Sequence, residues 1–266
     1  MHKEEIISTG LKDAYDNFYV GKDEQWRLLS ARYKAQNIRD LCAGLQVGKV
    51  LEVGAGDGSI LKYLDESDFA PEFHALEISA SGVEQIKNRK IGTVKSVQVF
   101  DGYHIPFEDN EFDLVVLSHV LEHVEFERIL LREIRRVSNN CVIEVPIDYR
   151  YGVDKRMKHF LAYGHINMYT PSSLRFLLQT EGFEILDDKI SIIEPEVTKF
   201  NTFVNQGKSR NFLSVLKIDA EFWVKKLLIS LGGKQTHENF ASAYTVLLKK
   251  AKDSRILTDS QQVHEK

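Results

Sequence analysis

The first residues suited to chemistry are three glycines that follow a short apolar run at residues 50–53. Gly54, Gly56 and Gly58 alternate with other residues, and the positions after them read as the start of a helix. Glycine permits backbone angles that other residues rarely adopt, and it lets a ligand approach the bare main chain. The sequence therefore predicts a strand, a tight loop and a helix, with the loop beneath a flat, polar small molecule.

Acidic residues stand on the predicted strands beside this loop. Glu52 lies inside the first strand, Glu77 ends the second, 23 positions after Gly54, and Asp101 with Gly102 ends the third. An acid about 20 residues beyond a glycine loop can bind ribose hydroxyls, and Asp101 could accept a hydrogen bond from an adenine amino group. A carboxylate inside a buried strand is costly without a partner, which favours a function for Glu52. The alternatives are a solvated carboxylate for Glu77 and an ordinary turn residue for Asp101.

Three histidines are candidates for proton transfer, because imidazole titrates near physiological pH. His119 and His123 are four residues apart and could share a helical face, as in a metal site. No third ligand follows at helical spacing, so we expect no metal. His165 is the preferred catalytic candidate, since it lies among aromatic and basic residues. An ordinary hydrogen-bonded loop histidine is the alternative interpretation.

The aromatic and basic residues around His165 belong to the segment 147–169, which we expect to be an insertion in the fold that faces the substrate. Its composition suits a flat or anionic small molecule, although a solvated charged face has the same composition. Candidate substrate contacts are four tyrosines, one of them from an aromatic cluster near the N-terminus: Tyr19, Tyr149, Tyr163 and Tyr169.

Strands that alternate with helices must position these residues. This order argues for a mostly parallel sheet with helices on both faces. Thr170 is a predicted N-cap and Gly182 follows the end of the same helix, whereas residues 191–211 are expected to be irregular. The strands predicted after the glycine loop lie at residues 72–78, 96–100, 114–118, 141–146, 183–186 and 241–249.

The chain divides into one large domain with additions. The helix predicted over residues 23–45 has an apolar stripe, with Arg27, Lys34 and Arg39 elsewhere on its surface. The predicted parts are an N-terminal helical flap at 1–45, the large domain at 46–250 with insertions at 147–169 and 191–235, and a polar tail at 251–266.

Composition restricts the class of protein. The chain has 266 residues, 43% of them hydrophobic, which supply a sizeable core. Its formal net charge of −4 leaves no basic footprint for nucleic acid, so a nucleic-acid partner is disfavoured. Cys42 and Cys141 lie far apart, which fits two reduced thiols. With a charged N-terminus and no apolar run long enough to span a bilayer, we expect a cytoplasmic protein without a membrane span. The oligomeric state is left open.

Taken together, these motifs carry a family resemblance. The series VLEVGAGDGSIL, then Glu77, then Asp101-Gly102, then PFEDNEFDLVVLSHVLEHV resembles the class I S-adenosylmethionine-dependent methyltransferases. The likeness is to the large branch that methylates small molecules and, in some members, lipids, sugars or tRNA bases. It covers roughly residues 45–190, including the helix-strand unit HINMYTPSSLRFLLQTEGF.

The resemblance implies S-adenosylmethionine as cofactor and a Rossmann-like seven-stranded sheet whose last strand is antiparallel. Glu52 would help to hold the donor's amino group, Glu77 would bind both ribose hydroxyls, and Asp101 would face the adenine amino group. The complete set of implied donor contacts is Glu52, Gly54, Ala55, Gly56, Gly58, Glu77, Ile78, Asp101, Gly102, Ser118 and His119.

The acceptor is the open question. Leu-Ser-His-Val at residues 117–120 stands where enzymes that methylate exocyclic amines of nucleic-acid bases carry Asn/Asp-Pro-Pro-aromatic, which favours transfer to oxygen or nitrogen of a small molecule. A tRNA- or protein-directed methyltransferase and a non-catalytic donor-binding partner subunit remain alternatives. A nicotinamide dehydrogenase is disfavoured, because the glycines run G-x-G-x-G rather than G-x-G-x-x-G.

Overall fold

A computed structural model describes residues 24–251 of the chain, except the side chains of residues 234 and 235. Seven strands form one sheet in the order β3-β2-β1-β4-β5-β7-β6. Their bounds are β1 Lys49–Val53, β2 Glu72–Glu77, β3 Val94–Val99, β4 Leu114–Ser118, β5 Asn140–Pro146, β6 Phe183–Ser191 and β7 Ala243–Lys250.

Helices connect most of these strands. The segment 147–169 contains a 3-10 turn and one short helix, and another 3-10 turn, Leu121–His123, follows β4. The helices are α1 Glu24–Leu41, α2 Ser59–Asp65, α3 Ala80–Arg89, α4 Glu127–Val137, α5 Met157–Ala162, α6 Pro171–Thr180, α7 Pro195–Phe200, α8 Phe212–Leu231 and α9 Lys234–Phe240.

The sheet confirms the predicted fold class. Strands β1 to β5 pair in parallel, and β7 runs antiparallel to both β5 and β6. The strand order reverses between β1 and β4, because the chain first builds outward through β2 and β3 and then returns. In such sheets the crevice beyond the carboxyl ends of the strands at the reversal is the usual binding site.

Apolar side chains cover both faces of the sheet. One face packs around Leu131 of α4 and Leu174 of α6. The other packs around Leu61 of α2, and Ala35 and Ile38 of α1 also belong to this cluster. The helix predicted in the N-terminal flap is therefore a packed part of the core from residue 24 onward.

The structure differs from the sequence prediction between β6 and β7. The segment predicted to be irregular contains α7, which begins at Pro195 as expected of proline in a first turn, and a π-helical turn at Asn201–Asn205. Helix α8 follows at Phe212–Leu231, and none of its 20 residues is buried. No helix in the described range is long and apolar enough to cross a membrane. The predicted tail lies almost wholly outside the described residues.

Candidate functional site

The glycine loop joins β1 to α2 and turns sharply at the carboxyl end of β1. Gly54, Gly56 and Gly58 have φ angles of 71°, 58° and 75°, which lie in the left-handed region that favours glycine. The amide of Gly54 donates to the Leu76 carbonyl over 2.8 Å, so the loop is fastened to β2. A Cβ at Gly54 would lie 2.4 Å from a methyl group of Val120, which leaves no space for a side chain.

Glu77 ends β2 beside this loop. Its carboxylate accepts hydrogen bonds from the Gly56 amide at 2.8 Å, the Ser79 amide at 3.2 Å and the Ser79 hydroxyl at 3.1 Å. Burial raises the pKa of Glu77 above its usual value, although these donors oppose the shift. The carboxylate therefore holds the loop at the carboxyl end of β2.

Two arginines hold the loop residue Asp57. Arg27 of α1 donates to its carboxylate at 2.8 Å and Arg89 of α3 at 3.0 Å. Burial acts to raise the pKa of Asp57, but Ser59, Arg27 and Arg89 outweigh it and lower the pKa. This ionic network was not predicted from the sequence, because its members are about 30 residues apart and no local sequence pattern links them.

Glu52 is a buried carboxylate in the middle of the site. The side chain is 2% exposed, and its Oε2 atom has no hydrogen-bond partner among the described residues. Burial, and then the nearby Asp57, raise its pKa well above the usual value, whereas Lys34 acts to lower it. An orphaned carboxyl oxygen beside a glycine cradle fits a ligand that carries an ammonium group, as S-adenosylmethionine does.

Lys34 reaches the same region from α1. Burial lowers its pKa, against the attraction of Glu144, Glu122 and Glu52. The sequence pattern had placed Lys34 off the apolar stripe of its helix, without a function. Its ammonium instead faces several acids, where it could receive an anionic group of a ligand.

His119 lies where β4 ends, and its backbone is unusual. Its φ angle of 57° is uncommon for a residue other than glycine, and such conformations cluster at functional sites. Nε2 lies 3.3 Å from Glu144 and Nδ1 lies 3.2 Å from Glu122. Burial and Lys34 act to lower the pKa of His119, but the two carboxylates raise it above its ordinary value.

Glu144 of β5 is the second carboxylate beside His119. It also accepts from Asn37 of α1 at 3.1 Å and from Thr245 of β7 at 2.6 Å. Burial acts to raise its pKa, but His119, Lys34 and Thr245 together outweigh burial and lower it to about 2. The hydroxyl of Ser118 lies 3.4 Å from the same carboxylate. Glu144 therefore joins three elements beneath the crevice, and the sequence analysis missed it as a site residue.

Beyond this network, the two remaining predicted histidines meet. Their rings pack edge to face with centroids 4.9 Å apart. Nδ1 of His123 lies 3.0 Å from the Gly164 carbonyl, and Nδ1 of His165 lies 2.5 Å from the carboxylate of Asp148. An imidazole held by a carboxylate through one nitrogen can exchange a proton through the other. Asp148 was not singled out from the sequence.

The same cluster has the chemistry of a metal site. One ligand atom from each of Glu122, His123 and His165 lies within 4.8 Å of the others. The sequence shows no third ligand at helical spacing from His119 and His123. In the structure the third residue, His165, comes from a distant loop, while Glu122 and His123 lie on a 3-10 turn. His119 does not share a helical face with His123, since it precedes the turn in a left-handed conformation.

The predicted acceptor tyrosines have different surroundings. Tyr149 and Tyr163 are exposed on the segment 147–169, and the Tyr163 ring lies 6.2 Å from His165. Tyr169 belongs to the hydrophobic core, and its hydroxyl lies 3.4 Å from the Leu121 carbonyl, so we do not retain it in the acceptor site. Tyr19 lies outside the described residues.

The predicted adenine contacts flank the carboxyl end of β3. Ile78 is half-buried and packs on the core, and Gly102 turns with a φ angle of 84°. Asp101 accepts from the Tyr103 and His104 amides at 2.9 and 2.7 Å. Its carboxylate therefore stabilises its own loop and remains half-exposed at the crevice.

Comparison with known proteins agrees with this geometry. A family profile described as "Methyltransferase domain" matches residues 26–188. A ubiquinone/menaquinone biosynthesis C-methyltransferase of Desulfotalea psychrophila is 29% identical over 44% of this chain and 45% of its own length. A tRNA N(3)-methylcytidine methyltransferase of Drosophila melanogaster is 26% identical over 65% of this chain and 53% of its own length.

The fold is shared with a solved methyltransferase as well. Phosphoethanolamine N-methyltransferase 2 of Haemonchus contortus, solved with S-adenosylhomocysteine, superposes with a TM-score of 0.60 at 14% identity, over 92% of this chain and 61% of its own. The chain spans about half the length of the two curated relatives above. The family profile covers more than half of the chain, and the strand-end acids and glycine cradle are in place. The chain belongs to the class I S-adenosylmethionine-dependent methyltransferases.

Proposed function

We propose that this enzyme transfers the methyl group of S-adenosylmethionine to an oxygen or nitrogen of a small-molecule acceptor. The observation that carries the proposal is the Asp148–His165 pair. It lies in contact with His123, which borders the network at the end of β4. A proton-accepting imidazole is thus adjacent to the strand end at which the reactive part of the donor is expected.

We place the donor across the carboxyl ends of β1, β2 and β4. Glu77 receives the ribose hydroxyls, and Glu52, with its orphaned oxygen, attracts the amino group. Lys34 faces the donor's carboxylate. The proposed contacts to the remaining parts are Gly54, Ala55, Gly56 and Gly58 beneath the donor, Ile78, Asp101 and Gly102 at the adenine, and Ser118 and His119 at the methionine part.

The acids around the site also suit the charge of the donor. Bound S-adenosylmethionine supplies an electrophilic methyl group on a sulfonium. Glu122 and Glu144, whose pKa values are lowered, are almost fully buried here beside His119, whereas the raised pKa of Glu52 favours its neutral form in the absence of a bound cation. A negative environment favours the sulfonium cation, and fixed groups in a desolvated site act more strongly than they would in water.

His165 is the proposed general base. Its Nδ1 is held by Asp148, so its Nε2 is available to take a proton from an acceptor hydroxyl or amine as the oxygen or nitrogen attacks the methyl carbon. The methyl carbon–sulfur bond breaks, and its electron pair stays on sulfur. In this proposal His119 and His123 lie between the donor and His165, and Tyr149 and Tyr163 border the acceptor on the solvent side.

Alignment of the acceptor supplies the rest of the catalysis. Methyl transfer is an in-line displacement, so the acceptor must lie behind the carbon–sulfur bond, and such positioning is worth up to about 7–11 kcal/mol in ideal cases. The wall formed by the segment 147–169 suits this task. Ile147 and Tyr169 at its two ends belong to the hydrophobic core, while Tyr149 and Tyr163 between them remain exposed.

A second candidate function is methylation of tRNA. The similarity to the Drosophila tRNA methyltransferase favours it, because that match extends over 65% of the chain. The net charge of −4 weighs against it, since tRNA binding usually leaves a basic footprint. Carbon methylation has a precedent in the Desulfotalea relative, but the base described above is better suited to a heteroatom acceptor.

Two buried free thiols, Cys42 and Cys141, support a reducing, cytoplasmic location.

Transfer of isotopically labelled methyl groups tests the proposal. The full chain is incubated with methyl-labelled S-adenosylmethionine and cell extract, and the products are separated into small-molecule, RNA and protein fractions. We expect protein-dependent label in the small-molecule fraction, on oxygen or nitrogen. Label in RNA or protein would contradict the proposed acceptor class. Donor binding without any label transfer would instead identify a non-catalytic donor-binding subunit.

A further inference from the structure

Helix α8 is apolar but has no cover within the described structure. Thirteen of its 20 residues are apolar, and none is buried. It packs against α7 and α9, and Val215, Ile218 and Phe222 on one side of it are half-buried. The opposite side carries large exposed side chains, among them Leu213, which is 74% exposed. A helix that is hydrophobic around most of its circumference is normally buried, and this side has no partner among residues 24–251.

The exposed stripe has an internal symmetry. Its central part consists of Leu213, Leu216, Ala220, Val224 and Leu227, all exposed, at spacings of three, four, four and three residues, and exposed Leu231 continues it at the C-terminal end. This central part reads alike in both directions from Ala220, which is also its smallest residue. At 3.6 residues per turn these positions fall on one side of the helix.

We infer that α8 is a dimerisation surface and that its occupant is α8 of a second copy of this chain. In an antiparallel pair with a two-fold axis at Ala220, Leu213 meets the partner's Leu227 and Leu216 meets the partner's Val224. The two alanines meet at the axis, where small side chains let the helices approach closely. Residue i then contacts j while j contacts i, as a two-fold interface requires.

The flanks of the stripe fit the same arrangement. On one side Trp223, 62% exposed, lies at the height of the partner's Leu216. On the other side Lys217, which lies 3.8 Å from Glu221 of its own helix, is close in height to the partner's Glu221, so opposite charges meet twice across the pair.

A lipid surface suits this helix less well. Interfacial helices separate a charged face from an apolar face and carry mainly basic charge. On α8 the charged residues Lys217, Asp219, Glu221, Lys225 and Lys226 are of both signs and occur on several sides. Asp219 moreover forms an ion pair with Lys199 of α7 at 2.5 Å, on the inner side of the helix.

Light scattering coupled to gel filtration tests the association of the full chain. We expect a mass of twice the chain's 30.5 kDa at micromolar concentration. Ala220→Glu brings two like charges together at the axis and should weaken dimerisation by roughly 100-fold or more. Ser230→Glu adds the same charge at an exposed position of the same helix outside the stripe and should leave the dimer intact. Circular dichroism verifies that both variants are folded.

A cysteine variant tests the register. Cys42 and Cys141 are buried, so Ala220→Cys should form a disulfide-linked dimer under mild oxidation. Ser230→Cys should not, since the two residues would be about 30 Å apart along the helices. A monomeric wild type, a dimer insensitive to Ala220→Glu, or cross-linking through Ser230→Cys alone would overturn the inference. A monomer that sediments with anionic phospholipid vesicles would overturn it in favour of a membrane surface.

Discussion

Glu77→Gln separates the binding of the donor from the stability of the fold. The carboxylate accepts hydrogen bonds from Gly56 and Ser79. In the proposed function its negative charge also binds the ribose hydroxyls of the donor. The amide keeps the volume but loses the charge, and its NH2 group cannot accept hydrogen bonds. Hydrogen bonds to a charged group contribute about 1.5–3 kcal/mol, so the dissociation constant of the donor should rise roughly 10- to 150-fold.

The free protein should be affected much less. Burial raises the pKa of Glu77, which means that the folded state disfavours its charged form at neutral pH. Removal of that charge offsets part of the loss of its hydrogen bonds with the loop. We therefore expect the free energy of unfolding without ligand to change by no more than about 1 kcal/mol.

Isothermal titration with S-adenosylhomocysteine measures the first effect, and thermal unfolding measures the second. Glu72→Gln is a matched control, because Glu72 lies at the opposite end of the same strand and pairs with His74 and Lys49. It should leave the affinity for S-adenosylhomocysteine unchanged. A folded Glu77→Gln protein that binds this ligand as tightly as the wild type would refute the assignment of Glu77 to the ribose.

Two other substitutions probe the loop and the network beneath it. Gly54→Ala places a methyl group 2.4 Å from Val120 at a positive φ, so it should cost about 1–3 kcal/mol of stability and weaken donor binding. Its control is Gly44→Ala, where nothing lies within 4 Å. Glu144→Gln should lower the free energy of unfolding by on the order of 3 kcal/mol at pH 7, because His119, Lys34 and Thr245 outweigh burial and lower the pKa of Glu144 from 4.5 to about 2.

The sign of the pH dependence follows from these shifts. A lowered carboxyl pKa stabilises the fold above pH 4.5, and this contribution is lost as the pH falls toward about 2. The raised pKa of His119 stabilises the fold below pH 6.5, and that part is lost as the pH rises through the raised value. In denaturant titrations, the difference in free energy of unfolding between wild type and Glu144→Gln should therefore become smaller in acid. A difference that does not depend on pH would contradict the pairing of Glu144 with His119. Equal losses of stability in Gly44→Ala and Gly54→Ala would contradict the loop geometry.

Much of the donor side could be predicted from the sequence, because its signals are local. An apolar run, alternating glycines and an acid at a strand end predicted the glycine loop and the position of Glu77 beside it, whereas the contacts of these residues with the donor stay a prediction. The cap of α6 was also predicted, since Thr170 accepts from the Ser173 amide as the residue types suggest.

The missed residues act across long separations. Lys34 and Arg27 lie on a helix whose pattern describes only its own packing stripe, so the acids that they face cannot be inferred from it. Asp148 and His165 are 17 residues apart in a segment without periodicity, and the structure alone brings them together. An acid near the end of β5 was the available signal for Glu144, and it went unused because the preceding strands had already supplied a complete donor site.

The role of His165 is the central claim on the acceptor side, and one comparison tests it directly. Turnover of labelled donor with the active fraction of the extract is measured for wild type, His165→Ala and the remote control His237→Ala, alongside the affinity of each for S-adenosylhomocysteine. A general base contributes about 10²–10⁴-fold to a rate. We predict that His165→Ala loses at least about 100-fold in kcat with unchanged affinity, while His237→Ala retains both. Unchanged turnover in folded His165→Ala would contradict the account.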